Sequence, residues 1–184
     1  MKKLLISMAI FLVLAGTAPA GAAVPVPPMT TRAGGVVILV CNEDPSRSPV
    51  YLPALPWDPE LIRWATQRAE YVREVDLQTL LREPGDRYRL LQGLVEAKFQ
   101  LELARIALMA HRYDEVLEHW EKAARAAREV QWKDVERLFG EAATKALKAD
   151  LERQKAGNPC GLVGARDRLQ AAYGELAALI EAGK

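Results

Sequence analysis

Residues 86–108 read DRYRLLQGLVEAKFQLELARIAL. Within them Leu90, Leu94, Ala97, Leu101, Ala104 and Leu108 recur at alternating spacings of four and three, the period of one helix face. Leu91, Val95, Phe99, Leu103 and Ile106 cover a second face. The spacing therefore predicts a helix over 86–110 that is apolar on two sides, and such a helix belongs at the centre of a bundle. Asp86, just after Pro84-Gly85, is placed to cap it.

Helical periodicity extends in both directions from this centre. Asp58-Pro59-Glu60 is a start signal: Asp as N-cap, Pro at the first helical position, an acid at the positive end of the dipole. Leu61, Ala65, Ala69 and Val72 make the stripe of a helix to about Glu74, and 76–82 reads as a separate short helix stopped by Pro84-Gly85. After a break at His111-Arg112-Tyr113, Asp114-Glu115 begins a helix with the stripe Val116, Trp120, Ala123, Ala127 and Val130. No Pro or terminal Gly follows until Gly157-Asn158-Pro159. An unbroken helix there would run for about 65 Å, roughly twice the width of a small domain. A tight break is therefore expected at 129–132, with the next helix continuing to about Lys155 on Val135, Leu138, Ala142, Ala146 and Ala149. The last helix starts near Leu162 and carries Leu169, Tyr173, Leu176 and Ile180. The fold class is all-α, a bundle of about five main helices occupying 58–184. Gly93, Gly140, Gly164 and Gly174 fall inside these helices, where each costs about 1 kcal/mol against alanine. Close helix packing is the favoured reason, room for a ligand the other.

Residues 1–22 have the form of a secretory signal peptide. Lys2 and Lys3 precede an apolar run from Leu4 to Gly16, and Ala18-Pro19-Ala20 or Ala20-Gly21-Ala22 supplies the small-x-small cleavage pattern. That run would span only about 20 Å as a helix, short of the roughly 30 Å hydrocarbon core. The expectation is an exported protein of the periplasm or exterior, beginning at Gly21 or Ala23 and without a membrane span once cleaved. Cys41 follows Leu39-Val40, which does not suit lipoprotein processing. Without Lys2 and Lys3, 23 basic residues face 24 acidic ones. So even a balance leaves no electrostatic footprint for nucleic acid.

Residues 23–57 form a proline-rich leader and extended arm, since eight of the eleven prolines lie between Pro25 and Pro59. Val36 to Cys41 is an apolar, mostly β-branched run bounded by Gly34-Gly35 and Asn42-Glu43-Asp44-Pro45, a strand signal. Val50-Tyr51-Leu52 is its only local partner, and Pro49 and Pro53 would interrupt a ladder. The run is thus expected as an arm packed on helices, the alternative being an edge that pairs with a second chain in a homodimer. In an oxidising compartment the even pair Cys41 and Cys160 is expected to form a disulfide, the alternative being two buried free thiols.

Tyr113, Asp114, Glu115, Leu117, Trp120, Lys122 and Ala123 fall in the order found at the end of a tetratricopeptide repeat. Leu103 and Ala104 stand where that family carries a Leu-Gly pair. Residues 97–130 therefore resemble one such helical hairpin, with Val116 in place of the usual alanine and Gln100 in place of the usual tryptophan. A plain helical hairpin is the alternative. The resemblance implies a protein-binding scaffold whose first helix lines the concave face, making Lys98, Gln100, Glu102 and Arg105 the expected partner contacts. Tyr113, Trp120 and Ala123 are then structural.

No catalytic residue, cofactor or metal is expected. His111 and His119 are the only histidines, and H-E-x-x-H is absent. Glu115 and His119, four apart, read as an exposed ion pair beside a turn. No G-x-S-x-G, phosphate loop or C-x-x-C occurs. Two function classes survive: an envelope adaptor, assembly factor or accessory subunit, and a helical bundle that binds a small ligand or cofactor, with at most a weak enzymatic role. The lack of converging polar ligands favours the first.

Overall fold

The computed structural model describes residues 36–39, 41, 50–53, 57–128 and 133–183. The signal segment, the leader and the break expected at 129–132 lie outside them. Two short strands, β1 (Val36–Leu39) and β2 (Val50–Pro53), are followed by helices α1 (Pro59–Thr79), α2 (Gly85–Met109), α3 (Tyr113–Arg128), α4 (Lys133–Phe139), α5 (Glu141–Lys155) and α6 (Pro159–Gly183). Five of these helices are long, and the class is all-α.

The centre lies where the two-sided periodicity puts it. On α2 the side chains of Leu91, Leu94, Val95, Ala97, Leu101, Ala104 and Leu108 are buried, and α1, α3 and α6 all pack on this helix. Leu90, at the start of the stripe, is exposed. No side chain caps α2: Pro84 holds the N-cap position, and Asp86 sits in the first turn, where its charge still suits the dipole. By contrast, Asp58 caps α1 as expected, its Oδ1 accepting from the Leu61 amide at 2.8 Å.

Three boundaries differ from the sequence expectation. Glu74 does not end α1, because nothing between it and Thr79 breaks a helix; the chain tightens into a 3₁₀ turn, Leu80–Arg82, anchored by fully buried Leu80. The expected helix 133–155 is two helices, since Gly140 takes an extended conformation and stands as the N-cap of α5. This break resets the phase. Val135, Leu138 and Phe139 are buried before it, whereas Leu147, Asp150 and Leu151 replace the expected Ala142, Ala146 and Ala149 after it. Lastly, α6 begins at Pro159, with the Asn158 side chain accepting from the Cys160 amide at 2.9 Å.

Three glycines of α6 divide by what surrounds them. A methyl on Gly164 would meet the Asp150 carboxyl group, so α5 and α6 cross closely there, whereas Gly174 faces open space. Gly161, one turn earlier, abuts the main chain of Asp150 and Gln154.

The arm is a two-stranded ladder rather than a lone extended segment. β1 and β2 pair antiparallel, Val36 opposite Pro53 and Leu39 opposite Val50. Pro53 sits in the end pair, where a missing amide costs least. An isolated hairpin of this size is marginal. Here β1 packs on α6, and Cys41 is joined by a disulfide to Cys160 in the first turn of that helix, Cα to Cα 4.6 Å. Both cysteines are buried.

Among the described residues no helix is long and apolar enough to cross a membrane.

Candidate functional site: a groove on α2 between α1 and α6

α1 rests on α2 through small residues. Ala65 and Ala69 meet Phe99 and Ile106 in an apolar cluster separate from the main core. Ile62 and Trp64, both partly buried, pack at the margin of this contact. The result is a groove of about 360 Å³ with Val95, Phe99 and Ile106 of α2 at its base. α1 contributes Trp64, Arg68, Val72, Arg73 and Asp76; α2 adds Lys98, Glu102 and Arg105; α6 adds Tyr173. Trp57 closes one end, its amide donating to the Met109 carbonyl at 3.2 Å.

Every cation in the groove lies against an aromatic ring. Arg68 sits 5.7 Å from the Trp64 ring centre and Arg73 4.4 Å from that of Phe99. Lys98 and Arg105 share Tyr173, at 5.6 and 5.3 Å. Such contacts hold the charged heads in place at little cost in solvation. Four cations here face two carboxylates, Asp76 and Glu102. Asp76 accepts from Lys98 Nζ and Glu102 from Arg105 Nη1, each at 2.7 Å. Arg73 reaches Glu96 at 3.5 Å, outside the groove, while its Nε is buried with no acceptor among the described residues. Arg68 has no carboxylate within ion-pair distance among the described residues, which leaves its charge available. Burial works against the charge on Lys98, but the hydrogen bond to Asp76, with the Asp76 charge, outweighs it and lifts the ammonium above its ordinary pKa.

Of the four expected contact residues, three meet in this groove: Lys98, Glu102 and Arg105. All are partly buried, Lys98 most deeply with 16% of its side chain exposed. Gln100 lies elsewhere, turned toward α3. Its Nε2 donates to Glu96 at 2.8 Å, so its Oε1 faces His119 Nδ1, also at 2.8 Å, and must accept from it. This fixes the proton of neutral His119 on Nδ1. Burial, then the Lys122 charge, lowers the His119 pKa against the opposing pull of Glu118 and Glu115. The expected Glu115–His119 pair does not form; Glu115 lies 3.5 Å from Arg112, and His119 is held by Gln100 instead. His111 takes a left-handed conformation at the α2–α3 turn, φ 58°, with its ring stacked on Tyr113.

Trp120 and Ala123 are buried in the core. Trp120 does more than join α2 to α3: its Nε1 donates to Thr144 Oγ1 at 3.0 Å and its ring lies 4.9 Å from Phe139, which ties α3 to α4 and α5.

The α1 wall is what the sequence reading missed. Its signal is present: Trp64 and Arg68 are four apart, hence on one face, with Tyr71 and Val75 continuing the line. Among the described residues no three His, Cys, Asp or Glu side chains converge as a metal site would need.

Comparison of the chain with family models, curated proteins and solved structures finds no match.

Proposed function

We propose that this chain is an exported helical interaction protein, an adaptor, assembly factor or accessory subunit of an envelope complex, whose groove receives a segment of a protein partner. The observation that carries this is the continuity of the groove with exposed apolar side chains on α1. Tyr71, Val72 and Val75 are 48%, 37% and 42% exposed. Val72 lines the groove and Tyr71 and Val75 neighbour it on α1, and exposed apolar side chains grouped beside a groove mark an interaction surface. The signal-like segment at 1–22 and the Cys41–Cys160 disulfide support a place outside the cytoplasm. The resemblance of 97–130 to a tetratricopeptide hairpin supports a binding role, and Lys98, Glu102 and Arg105 line the groove.

A small-ligand reading draws on the groove itself, whose size and ring-backed cations would suit an anion with a flat body. It leaves the exposed Tyr71 and Val75 without a purpose, so the protein partner is preferred.

The test is affinity capture from envelope extract with wild-type protein and the variants Trp64→Ala and Val72→Glu. Specific partners retained by wild type and lost by both variants support the reading. Partners held equally by all three would refute it.

A further inference from the structure

We infer that the segment received by the groove is an acidic amphipathic α-helix of another protein; this rests on the interaction reading above. Shape is the first argument. α1 and α6 both pack on α2, and a groove with one helix as its floor and others as its walls suits the cylinder of a further helix. α1 has 21 residues, about 30 Å of wall.

Periodicity is the second. Leu61, Trp64, Arg68, Tyr71 and Val75 follow one another at spacings of three and four, the seam along which one helix meets another; Trp64 and Arg68 line the groove, and the other three extend that face of α1 beyond it. None of the five is buried. α1 thus presents two stripes: a small one, Ala65 and Ala69, spent on α2, and a large one on which Trp64 is partly buried against the same cluster while Arg68, Tyr71 and Val75 are exposed.

Charge decides what kind of helix fits. The groove holds four cations against two carboxylates, both of which are already paired within it. Arg68, the middle residue of the open seam, has no carboxylate partner among the described residues. An incoming Asp or Glu at the centre of an apolar ridge would supply one.

The same residue disfavours a second copy of this chain. Arg68 is central to the seam, so a two-fold pairing of α1 with itself, parallel or antiparallel, sets Arg68 against Arg68. Like charges so placed oppose pairing. The chain's own leader is no better suited. Residues 23–35 contain Arg32, no carboxylate, and three prolines that bar a helix.

The experiment places a photo-reactive benzoylphenylalanine at Tyr71 of the full chain in its native envelope, with Lys145 on α5 as the control position. Cross-linked peptides are identified by mass spectrometry, and a peptide found from position 71 alone is synthesised as the probe. The expected peptide comes from another protein, carries net negative charge and has apolar residues at helical spacing. It should gain helical circular dichroism on binding. Its Kd should rise about tenfold for Arg68→Glu and less for Arg68→Gln. Between about 0.1 M and about 1 M salt it should weaken as a charge-assisted contact does. Thermal melts of both Arg68 variants should match wild type, separating loss of charge from loss of fold.

Cross-links from position 71 only to this chain, whether a second copy or its own residues 1–56, would overturn the inference. So would no cross-link at all, a basic or non-helical peptide, or an unchanged Kd for Arg68→Glu. If Trp64→Ala and Val72→Glu abolish capture while Arg68→Glu does not, the groove stands as an interface and only the acidic helix falls. If all three variants capture as wild type does, the interaction reading itself falls.

Discussion

Replacing Gly164 by alanine should destabilise the protein, although the same change elsewhere on the same helix should stabilise it. Inside a helix, alanine exceeds glycine by about 0.8–1.0 kcal/mol. At Gly164 that gain meets a steric cost. A Cβ built there lies 2.6 Å from Asp150 Cγ and 2.7 Å from each carboxylate oxygen. Asp150 cannot yield cheaply, because its side chain is short, buried and held by Arg168 Nε at 2.7 Å. Forcing a methyl into a packed contact costs about 1–3 kcal/mol. Swinging the carboxylate aside forfeits a charge-assisted hydrogen bond of about 1.5–3 kcal/mol. Set against the gain of about 0.8–1.0 kcal/mol, either relaxation leaves a net loss of up to about 2 kcal/mol. Gly174 supplies the control: nothing lies within 4 Å of its would-be methyl, so Gly174→Ala should gain about 1 kcal/mol. Urea unfolding of both variants, with unchanged slopes, gives the two signs directly. Asp150→Ala combined with Gly164→Ala completes a cycle. Because Arg168 is 37% exposed and can turn to water, the double variant should lose less than the two single losses together. A Gly164→Ala protein more stable than wild type, or a cycle with no coupling, would show that the α5–α6 crossing does not depend on this contact.

Removing the disulfide by Cys41→Ser with Cys160→Ser releases a loop closed across 119 positions, worth about 4–5 kcal/mol in the chain-entropy model. Guanidinium unfolding should show a marked loss, and amides of 36–39 should exchange faster; equal stability of the bridged and unbridged proteins would refute this. Trp120→Ala should cost about 3–5 kcal/mol, because the ring is buried. Trp120→Phe should cost about 1–2 kcal/mol, since it keeps a ring beside Phe139 but loses the bond to Thr144, and indistinguishable losses would argue against that bond. A proton NMR titration should place His119 below the ordinary value of 6.5. With its folded pKa depressed, the unfolded chain binds more protons in the folded-to-ordinary window, so stability should fall as pH drops through that range. His119→Gln should remove that component, and a His119 pKa at or above the ordinary value would contradict it.

How much of this was legible follows from what each signal depends on. The burial of α2 is written into its sequence because both of its faces are apolar, so any packing of the neighbouring helices covers it. The Asp58 cap and the pairing of Cys41 with Cys160 are similarly local or forced, the first by adjacent residues and the second by having no competitor. Gly140 was not legible in this way. A glycine within an apolar period is consistent with a packed contact, as at Gly164, with open solvent, as at Gly174, or with a break. Only the surroundings decide, and at Gly140 the break moved the whole buried face of α5. The groove was hidden by a related ambiguity on α1, whose sequence carries two overlapping stripes. Area alone favours burying Leu61, Trp64, Tyr71 and Val75. The fold instead buries Ala65 and Ala69, because alanines let α1 come close enough to α2 to cover Phe99 and Ile106. A sequence displays both stripes without saying which one the chain uses on itself. The stripe it leaves more exposed, with Arg68 at its centre, is the surface on which the proposed partner would be met.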